Sequence, residues 1–578
     1  MKSNPRNKIF AVILFVSLAF TLFPVNSRGI AAFRGPVRGK HAMVASQHEL
    51  ASKIGVEIMK KGGNAVDAAI AVGLALAVVY PEAGNIGGGG FMLIRDKNGV
   101  AHAIDYREMA PKATNRDIFV DKDGNLIKGE GSSTLGYRAS GVPGTVAGFE
   151  MAFKKYGSGK LKWRDVVEPA RLLAQNGYIL SYRLAELFKS YKDSLAVYED
   201  SNRIFLNNGR FYEEGDVFRQ PDLARTLTRI EQKGSRDFYT GETAKLIAAD
   251  MKAHNGLITL DDLKNYKAKE RTPLRGNYRG HEIITMPPPS SGGVVMLEVL
   301  NMLETYDIRK MKYNSAAKYH VLAEAMRRAF ADRAEFMGDP DFENVPVASL
   351  IDKDYAVRRS SSINLTKASS SREVGHGDIP GGESMDTTHF TVVDPAGMAV
   401  TNTYTINDLY GSRVTAKGTG VLLNDEMDDF AARPGKPNMF GLIQGEKNSV
   451  KPGKRPLSSM TPTIVLRKDG SFWFALGARG GPRIISAVLQ SVMNVIDFDM
   501  DIQAAIDAPR IHHQWFPDEL LYEPTGFSPD TLGILTSYGH RFTSNPGNVA
   551  SATGIMVDEK SVRLGAIDSR SDGLAVGY

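Results

Sequence analysis

The 578-residue chain contains no cysteine. This absence excludes disulfide bonds, thiolate metal sites, a cysteine nucleophile and a lipid-modified cysteine anchor. A strong charge is also lacking, because 71 Lys and Arg residues against 65 Asp and Glu residues leave a formal net charge of only +6. Nothing in this balance indicates a nucleic-acid partner. With 42% hydrophobic and 24% charged residues, the chain is typical of a globular protein with a large core.

Long apolar runs are few, and the first one lies at the N-terminus. Three basic residues precede the apolar run Ile9–Phe23, which is followed by a small-residue stretch ending at Ser27. This pattern predicts a secretory signal peptide over residues 1–27. The run is short for a membrane span, although an uncleaved anchor is the alternative. Together with the missing cysteines, the pattern favours a periplasmic protein with no membrane association after signal removal.

The rest of the chain alternates between helical and extended patterns. The stretch Ala68–Tyr80 is apolar on every side, which predicts a buried helix. Ala316–Phe336 has the spacing of an amphipathic helix. Strands flanked by helices along the chain predict a layered α/β (α+β) fold with the sheets inside. The Ser- and Gly-rich stretch Ser360–Ser384 predicts a mobile, exposed segment.

Several candidate sites have competing explanations. The run Gly87–Gly90 lacks the residues of a phosphate-binding loop, so it serves either close backbone packing or a ligand facing its amides. The adjacent His512 and His513 would point to opposite faces of an extended chain, which argues against a shared metal. Ser458 and Ser459 lack the GxSxG context of a serine nucleophile, so a hydrogen-bonding role towards a ligand suits them better.

A fourth candidate begins a predicted strand with Thr387, Thr388 and His389. Taken alone, two threonines there indicate an ordinary strand edge. Cleavage before Thr387 would change this, because a threonine hydroxyl needs an adjacent base and a new N-terminal amine can supply one. The ordinary pKa of such an amine is about 7.7–8.0, close to neutrality. An N-terminal-nucleophile hydrolase is therefore chemically reasonable.

Ten longer motifs stand along the chain: GNIGGGGFMLI, YREMAP, PPPSSGG, TTHFTVVD, TYTIN, LLNDEMDDF, KRPLSSMTPTIV, GARGGPRI, APRIHHQWFPDEL and the ending AVGY. In this order they make the sequence resemble the γ-glutamyltranspeptidases, also called glutathione hydrolases, from about residue 40 to Tyr578. The resemblance implies a four-layer αββα sandwich of the N-terminal nucleophile hydrolase fold. It also implies a precursor that cuts itself between Asp386 and Thr387, giving a heterodimer of a large subunit (28–386) and a small subunit (387–578). It implies no metal and no organic cofactor.

The resemblance also assigns the catalytic residues. Thr387 would be the nucleophile, and Thr405 in TYTIN would hydrogen-bond it. The backbone amides of Gly480 and Gly481 would hold the oxyanion, where the competing interpretation is a plain tight turn.

The substrate's glutamyl head carries a carboxylate and an ammonium group. Six residues match the family's positions for them: Arg107, Ser458 and Ser459 for the carboxylate, and Asn407, Glu426 and Asp429 for the ammonium. A planar guanidinium suits a carboxylate because it donates two parallel hydrogen bonds. In the stretch that resembles the family's lid loop, Phe440 replaces the usual tyrosine and lacks its hydroxyl.

The expected function is therefore γ-glutamyl transfer from glutathione and related compounds to water, amino acids or peptides. One alternative is a cephalosporin acylase of the same superfamily, which cuts a glutaryl amide. Glutaryl lacks the ammonium, so the presence of Asn407, Glu426 and Asp429 argues against it. The other alternative is a binding protein for γ-glutamyl ligands that never matures.

Overall fold

The computed structural model describes residues 34–377, 388–436, 438–439, 441–443 and 445–578. The predicted signal peptide, the predicted cleavage site at Asp386 and Thr387, and Phe440 lie outside the described residues. Within the described part of the chain, no helix has both the length and the apolar character needed to cross a bilayer.

Two seven-stranded sheets form the centre of the protein, and all their strand pairs are antiparallel. The strands are β1 Val37–Gly39, β2 Met43–Ser46, β3 Gly89–Arg95, β4 Ala101–Asp105, β5 Tyr178–Ile179, β6 Val217–Phe218, β7 Lys269–Arg271, β8 Leu274–Tyr278, β9 His281–Thr285, β10 Thr388–Val393, β11 Ala399–Thr405, β12 Thr415–Ala416, β13 Val421–Leu422, β14 Thr463–Leu466, β15 Phe472–Arg479, β16 Ile511–His512, β17 Leu521–Tyr522, β18 Ser551–Val557, β19 Arg563–Ile567 and β20 Leu574–Gly577. Sheet one has the order β1-β19-β18-β15-β14-β9-β8, and sheet two has the order β20-β2-β10-β11-β3-β4-β7.

The described helices pack outside these sheets. They are α1 Glu49–Lys60, α2 Ala65–Val79, α3 Thr145–Tyr156, α4 Trp163–Asn176, α5 Tyr182–Ser190, α6 Lys192–Leu195, α7 Glu199–Phe205, α8 Pro221–Lys233, α9 Ser235–Thr240, α10 Glu242–Ala253, α11 Leu260–Asn265, α12 Gly292–Leu303, α13 Ile308–Met311, α14 Ala316–Phe336, α15 Val347–Leu350, α16 Lys353–Ser360, α17 Arg483–Phe498, α18 Ile502–Asp507 and α19 Pro529–Ser537.

Three large apolar clusters show the layering. One lies between the sheets and joins Phe91 and Leu93 of sheet two to Ile464 and Ile555 of sheet one. A second buries α1, α2, α4 and α8 against sheet two. The third buries α12, α14 and α17 against sheet one. The order is thus helices, sheet, sheet, helices, and the expected αββα sandwich is confirmed.

The predicted all-round burial of the first core helix is confirmed, since every residue of α2 is buried. Its N-terminus is set by Asn64, whose side chain accepts hydrogen bonds from the amides of Val66 and Asp67 in a capping box. The bounds predicted for α14 are also right, but its amphipathic character is wrong. All of its 21 residues except Ala317 and Glu335 are buried.

The polar side of α14 is buried because the chain upstream of the predicted cleavage site lies across it. The amides of Ser369 and Gly377 donate to the carboxylates of Glu324 and Asp332 at 3.1 and 2.6 Å. Much of this upstream stretch is exposed, as predicted. Its described part, 360–377, is nevertheless bound to α14 through buried charges, and the rest of the predicted segment lies outside the described residues.

Candidate active site

The strand that follows Thr387 lies in the interior of sheet two. Thr388 is the first residue of β10, is fully buried and pairs with Tyr404 of β11. The other edge of β10 pairs with β2. Among the described residues, the Thr388 hydroxyl has no hydrogen-bond partner. β10, which begins at the residue after Thr387 in the sequence, is therefore an interior strand of sheet two.

His389 connects this strand to the opposite sheet. Its Nδ1 lies 2.8 Å from the hydroxyl of Thr403, and its Nε2 lies 3.1 Å from the hydroxyls of Thr391 and Thr401. Burial lowers the pKa of His389 to about 3, so the ring is neutral at ordinary pH. Its ring also fills the space beside Gly477 of β15, where an added Cβ would lie 2.4 Å from the imidazole. The start of β10 and the last part of β15 therefore face each other at one end of the strands, between the two sheets.

The two predicted oxyanion residues lie just past that end of β15. Gly480 and Gly481 have φ values of 130° and 66°, which side chains other than glycine rarely adopt. A Cβ on Gly480 would also approach Ala550 to 2.8 Å. Neither amide donates a hydrogen bond to another described residue. Since α17 begins at Arg483, the two glycines directly precede Pro482, the N-cap of that helix, a position where backbone amides can bind anions.

Thr405 is the last residue of β11, at the same end of the strands, and it is held by hydrogen bonds. Its hydroxyl accepts from the amide of Asn407 at 2.8 Å, and its carbonyl accepts from the side chain of Asn85 at 2.8 Å. Asn407 has φ 73°, and its buried Oδ1 has no hydrogen-bond partner in the described structure. That oxygen is an acceptor available to a ligand.

The glycine run Gly87–Gly90 provides close backbone packing around this strand end. A Cβ on Gly88 would lie 1.9 Å from the carbonyl of Thr405, and one on Gly90 would lie 2.4 Å from the carbonyl of Thr403. Both distances are well below any contact that an alanine could make. Of the two interpretations of the run, close packing is the one that the structure supports.

Arg107 is fully buried just beyond β4, and its guanidinium binds the carboxylates of Glu426 and Asp429. It also donates to the carbonyls of Pro456 (3.1 Å) and Leu457 (3.3 Å). The residues predicted to hold opposite charges of the substrate therefore bind one another. Such pairing is stabilising, because a buried charge left unpaired is strongly destabilising.

The cluster contains more acid than base. Burial raises the pKa of Glu426 and of Asp429 well above the usual range, although the positive charge of Arg107 opposes the shift. Glu108, whose carboxylate lies 3.4 Å from Arg107, is a third acid, and burial raises its pKa to about 7. Burial disfavours the charged form of Arg107, but the nearby acids outweigh it and its pKa is raised. A cationic partner favours the charged form of these acids, so an added cation would be stabilised in the cluster.

Ser458 and Ser459 lie beside the same cluster and are fully buried. The Ser458 hydroxyl accepts from the amide of Met460 at 3.2 Å. The Ser459 hydroxyl accepts from the guanidinium of Arg333 at 2.5 Å. Behind them, the PPPSSGG motif supplies Ser291, whose amide and hydroxyl both donate to the Ser458 carbonyl at 2.7 Å.

The structure thus places nearly all the described candidates at the same end of the sandwich strands. It also adds residues that the sequence did not identify. These are Asn85, Glu108, Ser291, Arg333 and Asn448, the last of which donates to the Asp429 carbonyl at 2.6 Å. The motifs containing three of them were recognised, but a motif alone does not say which side chain reaches the site.

The His512 and His513 rings contact different partners, as predicted. His512 lies 2.8 Å from the hydroxyl of Ser486, whereas His513 lies 3.5 Å from the carboxylate of Asp518. Among the described residues, no group of three potential ligands is arranged to hold a metal ion.

The fold defines the class of protein. The chain is similar to the crystal structure of a cephalosporin acylase from Bacillus halodurans, with a TM-score of 0.83 and 28% sequence identity over 96% of this chain and 99% of that one. Two packed antiparallel sheets between helical layers, with a central strand directly after the candidate threonine, are the architecture of the N-terminal nucleophile hydrolases.

The family follows from sequence comparison. The family described as Gamma-glutamyltranspeptidase matches residues 51–578, and the chain belongs to it. The glutathione hydrolase proenzyme of Escherichia coli (strain K12) is 48% identical over 545 residues, covering 94% of this chain and 93% of that protein. The glutathione hydrolase proenzyme of Pseudomonas sp. (strain A14) is 47% identical over 586 residues, covering 99% and 100%.

Proposed function

We propose that this chain is a self-processing γ-glutamyltranspeptidase that cleaves the γ-glutamyl amide of glutathione and related compounds. The acyl group passes first to Thr387 and then to water, an amino acid or a peptide. Membership of the family and the similarity to two glutathione hydrolase proenzymes support this function. The N-terminal pattern of the sequence supports export to the periplasm.

Processing would begin when the Thr387 hydroxyl attacks the carbonyl carbon of Asp386. The peptide C–N bond breaks, an ester forms, and the Thr387 nitrogen leaves as the new amine. Water then hydrolyses the ester, giving the 28–386 and 387–578 subunits. Both sheets contain strands from both sides of this point, and in sheet two β10 and β11 lie between β2 and β3, while β20 pairs with β2. Cleavage would therefore leave the two subunits interleaved in one sandwich.

In turnover, the Thr387 amine would take the hydroxyl proton as the oxygen attacks the γ-carbonyl carbon. The oxyanion would be stabilised by the amides of Gly480 and Gly481, an effect often worth several kcal/mol. Collapse breaks the amide C–N bond, and the amine returns the proton to the leaving nitrogen. Water or an acceptor amine then attacks the γ-glutamyl ester and restores the Thr387 hydroxyl. Thr405 would orient that hydroxyl.

The observation that carries the choice of substrate is the buried acidic surplus around Arg107. A glutamyl head would bring its carboxylate to Arg107 and the serine pair, and its ammonium to the acids Glu426 and Asp429. Both charges of the ligand would then be matched, and the acids would keep a cationic partner after leaving Arg107. A glutaryl group carries no cation, so it would leave these acids without a partner. This disfavours the acylase alternative, although a cephalosporin acylase has the same fold.

The test combines intact-mass measurement with two substrates. The purified wild-type protein should give two masses that sum to the exported chain plus one water, the smaller chain beginning at Thr387. Thr387→Ala should give one uncut chain with no activity. The processed protein should hydrolyse a γ-glutamyl anilide at least tenfold faster than the glutaryl anilide. Equal or reversed rates would favour the acylase, and an uncut wild-type chain that still binds γ-glutamyl ligands would favour the non-maturing binding protein.

A further inference from the structure

Arg333 lies in the last turn of α14 with only 1% of its surface exposed. Its guanidinium donates to two serine hydroxyls, from Nε to Ser291 at 2.7 Å and from Nη2 to Ser459 at 2.5 Å. Its side chain therefore acts on the site through these hydroxyls.

The chemistry of arginine fixes the direction of these hydrogen bonds. A guanidinium has only donors, so the Ser459 oxygen must accept from Arg333. The Ser459 hydrogen then points elsewhere and is available to an acceptor. The Ser458 oxygen likewise accepts from the Met460 amide. The protein thus supplies donors to both serine oxygens, and each hydroxyl can donate its own hydrogen to an anion.

The backbone around Ser458 and Ser459 is also fixed by hydrogen bonds and close packing. Ser291, the other partner of Arg333, holds the carbonyl of Ser458 through its amide and its hydroxyl. The next residue, Gly292, approaches so closely that a Cβ there would lie 2.0 Å from the Thr461 hydroxyl and 2.8 Å from the Ser459 carbonyl. Arg333 therefore joins the PPPSSGG and SSMT segments beside the hydroxyls of Ser458 and Ser459.

We propose that Arg333 is a positioning residue for substrate recognition, whose two-donor guanidinium holds Ser459 as a hydrogen-bond donor to the α-carboxylate of the γ-glutamyl substrate. This inference rests on the proposed function, which places that carboxylate at Ser458, Ser459 and Arg107. It extends the recognition site to a residue on a different helix.

The effect should appear in substrate binding. Arg333→Gln offers a carbonyl as well as an amide and no longer enforces acceptance by Ser459. Its KM for a γ-glutamyl anilide should rise about tenfold, since a hydrogen bond to a charged group commonly contributes that much or more. Its kcat should change less than threefold. Arg333→Lys keeps the charge but cannot span both serines, so its KM should rise too, by a smaller factor.

A double-mutant cycle shows whether Arg333 acts through Ser459. Ser459→Ala should raise KM by itself, and adding Arg333→Gln should then change KM less than twofold. The matched control is Arg328→Gln on the same helix, since Arg328 is equally buried but binds Glu324 and Ser362. Its KM should equal that of the wild type. Intact-mass measurement on each variant separates a processing defect from a binding defect.

Each outcome decides the question. A wild-type KM in processed Arg333→Gln or Arg333→Lys protein would overturn the inference. So would a double variant whose increase in KM equals the product of the increases caused by Arg333→Gln and Ser459→Ala alone. If Arg333→Gln is not processed, Arg333→Lys is used for the same comparison. Failure of the wild-type protein to hydrolyse the γ-glutamyl anilide would instead overturn the proposed function, and the inference with it.

Discussion

Two helices of this protein are almost equally buried but have opposite chemistry. Every residue of α2 is buried, and its only charged residue is Asp67, which closes the capping box at the N-terminus. In α14, 19 of the 21 residues are buried. Six of these are lysine, arginine, aspartate or glutamate: Lys318, Glu324, Arg327, Arg328, Asp332 and Arg333.

The difference shows what each helix contributes. Apolar burial stabilises α2 directly, whereas buried charges are costly unless they are paired. In α14 the charges bind the chain upstream of the predicted cleavage site, and Arg333 reaches the candidate substrate pocket. We infer that α2 serves stability and that α14 serves the site. Four substitutions test this contrast, each measured on the uncut Thr387→Ala chain so that a single polypeptide unfolds.

The largest effect is expected for Arg327→Leu in α14. The Arg327 guanidinium pairs with Asp518, donates to the Ser371 hydroxyl at 2.5 Å and lies 3.2 Å from Glu324. Without Arg327, Asp518 loses its buried cationic partner and Glu324 keeps only Arg328, so the free energy of unfolding should fall by about 3–5 kcal/mol in a urea titration. The exposed pair of Arg309 with Asp499 is the control, and Arg309→Leu should cost less than about 1 kcal/mol. A loss below 1 kcal/mol at Arg327 would contradict the contrast.

The second test removes apolar volume from α2. Leu74 is 1% exposed within the apolar cluster against sheet two. Leu74→Ala should lower the free energy of unfolding by about 3 kcal/mol, because a cavity remains where the side chain was. The loss should be the same at pH 6 and pH 9, since no charge changes. A loss that varies with pH by more than 1 kcal/mol would show that α2 is coupled to titrating groups.

The third test adds volume to the same helix. An added Cβ at Gly73 would lie 2.4 Å from the ring of Phe149. The helix preference of alanine gains about 1 kcal/mol, but overpacking costs about 1–3 kcal/mol, so Gly73→Ala should be destabilising by about 1 kcal/mol. Gly533 in α19 is a matched control, because an added Cβ there meets nothing within 4 Å. Gly533→Ala should be stabilising, and equal effects at the two glycines would contradict the packing argument.

The same contrast explains what could be predicted from the sequence. The burial of α2 on all sides was predictable, because almost all of its residues are apolar and such residues are usually buried. The bounds of α14 were predictable from its spacing, yet its burial was not, because the charges of Arg327 and Asp332 normally indicate solvent. Their partners lie on a distant part of the chain, and spacing along a helix does not reveal contacts of that kind.

The candidate site follows a similar rule. The resemblance to a family identified Arg107 and the serine pair, and the structure places them together. The resemblance did not predict that Arg107 binds Glu426 and Asp429, because a motif relates each residue to the substrate and not to its neighbours in the fold. Arg333 was missed since an arginine in a helix usually lies on the surface, and only three-dimensional packing brings it to Ser459.

The smallest effect is expected for Lys318→Met in α14. Burial lowers the pKa of Lys318 to about 7, with Asp497 opposing the shift, and the ammonium lies 3.9 Å from the ring centre of Tyr319. Between pH 7 and the ordinary lysine pKa of 10.5, the unfolded chain binds more protons than the folded one, so wild-type stability should rise with pH in this window. Lys318→Met fills the same space without a charge and should be more stable than the wild type by about 1 kcal/mol at pH 7. Because the unfolded lysine loses its proton only near pH 10.5, wild-type stability should rise by more than this advantage, which should therefore shrink and then reverse as urea titrations are repeated from pH 7 to pH 10. An advantage that stays constant over this range would show that Lys318 keeps its proton when folded, and that α14 accommodates a buried charge there without cost.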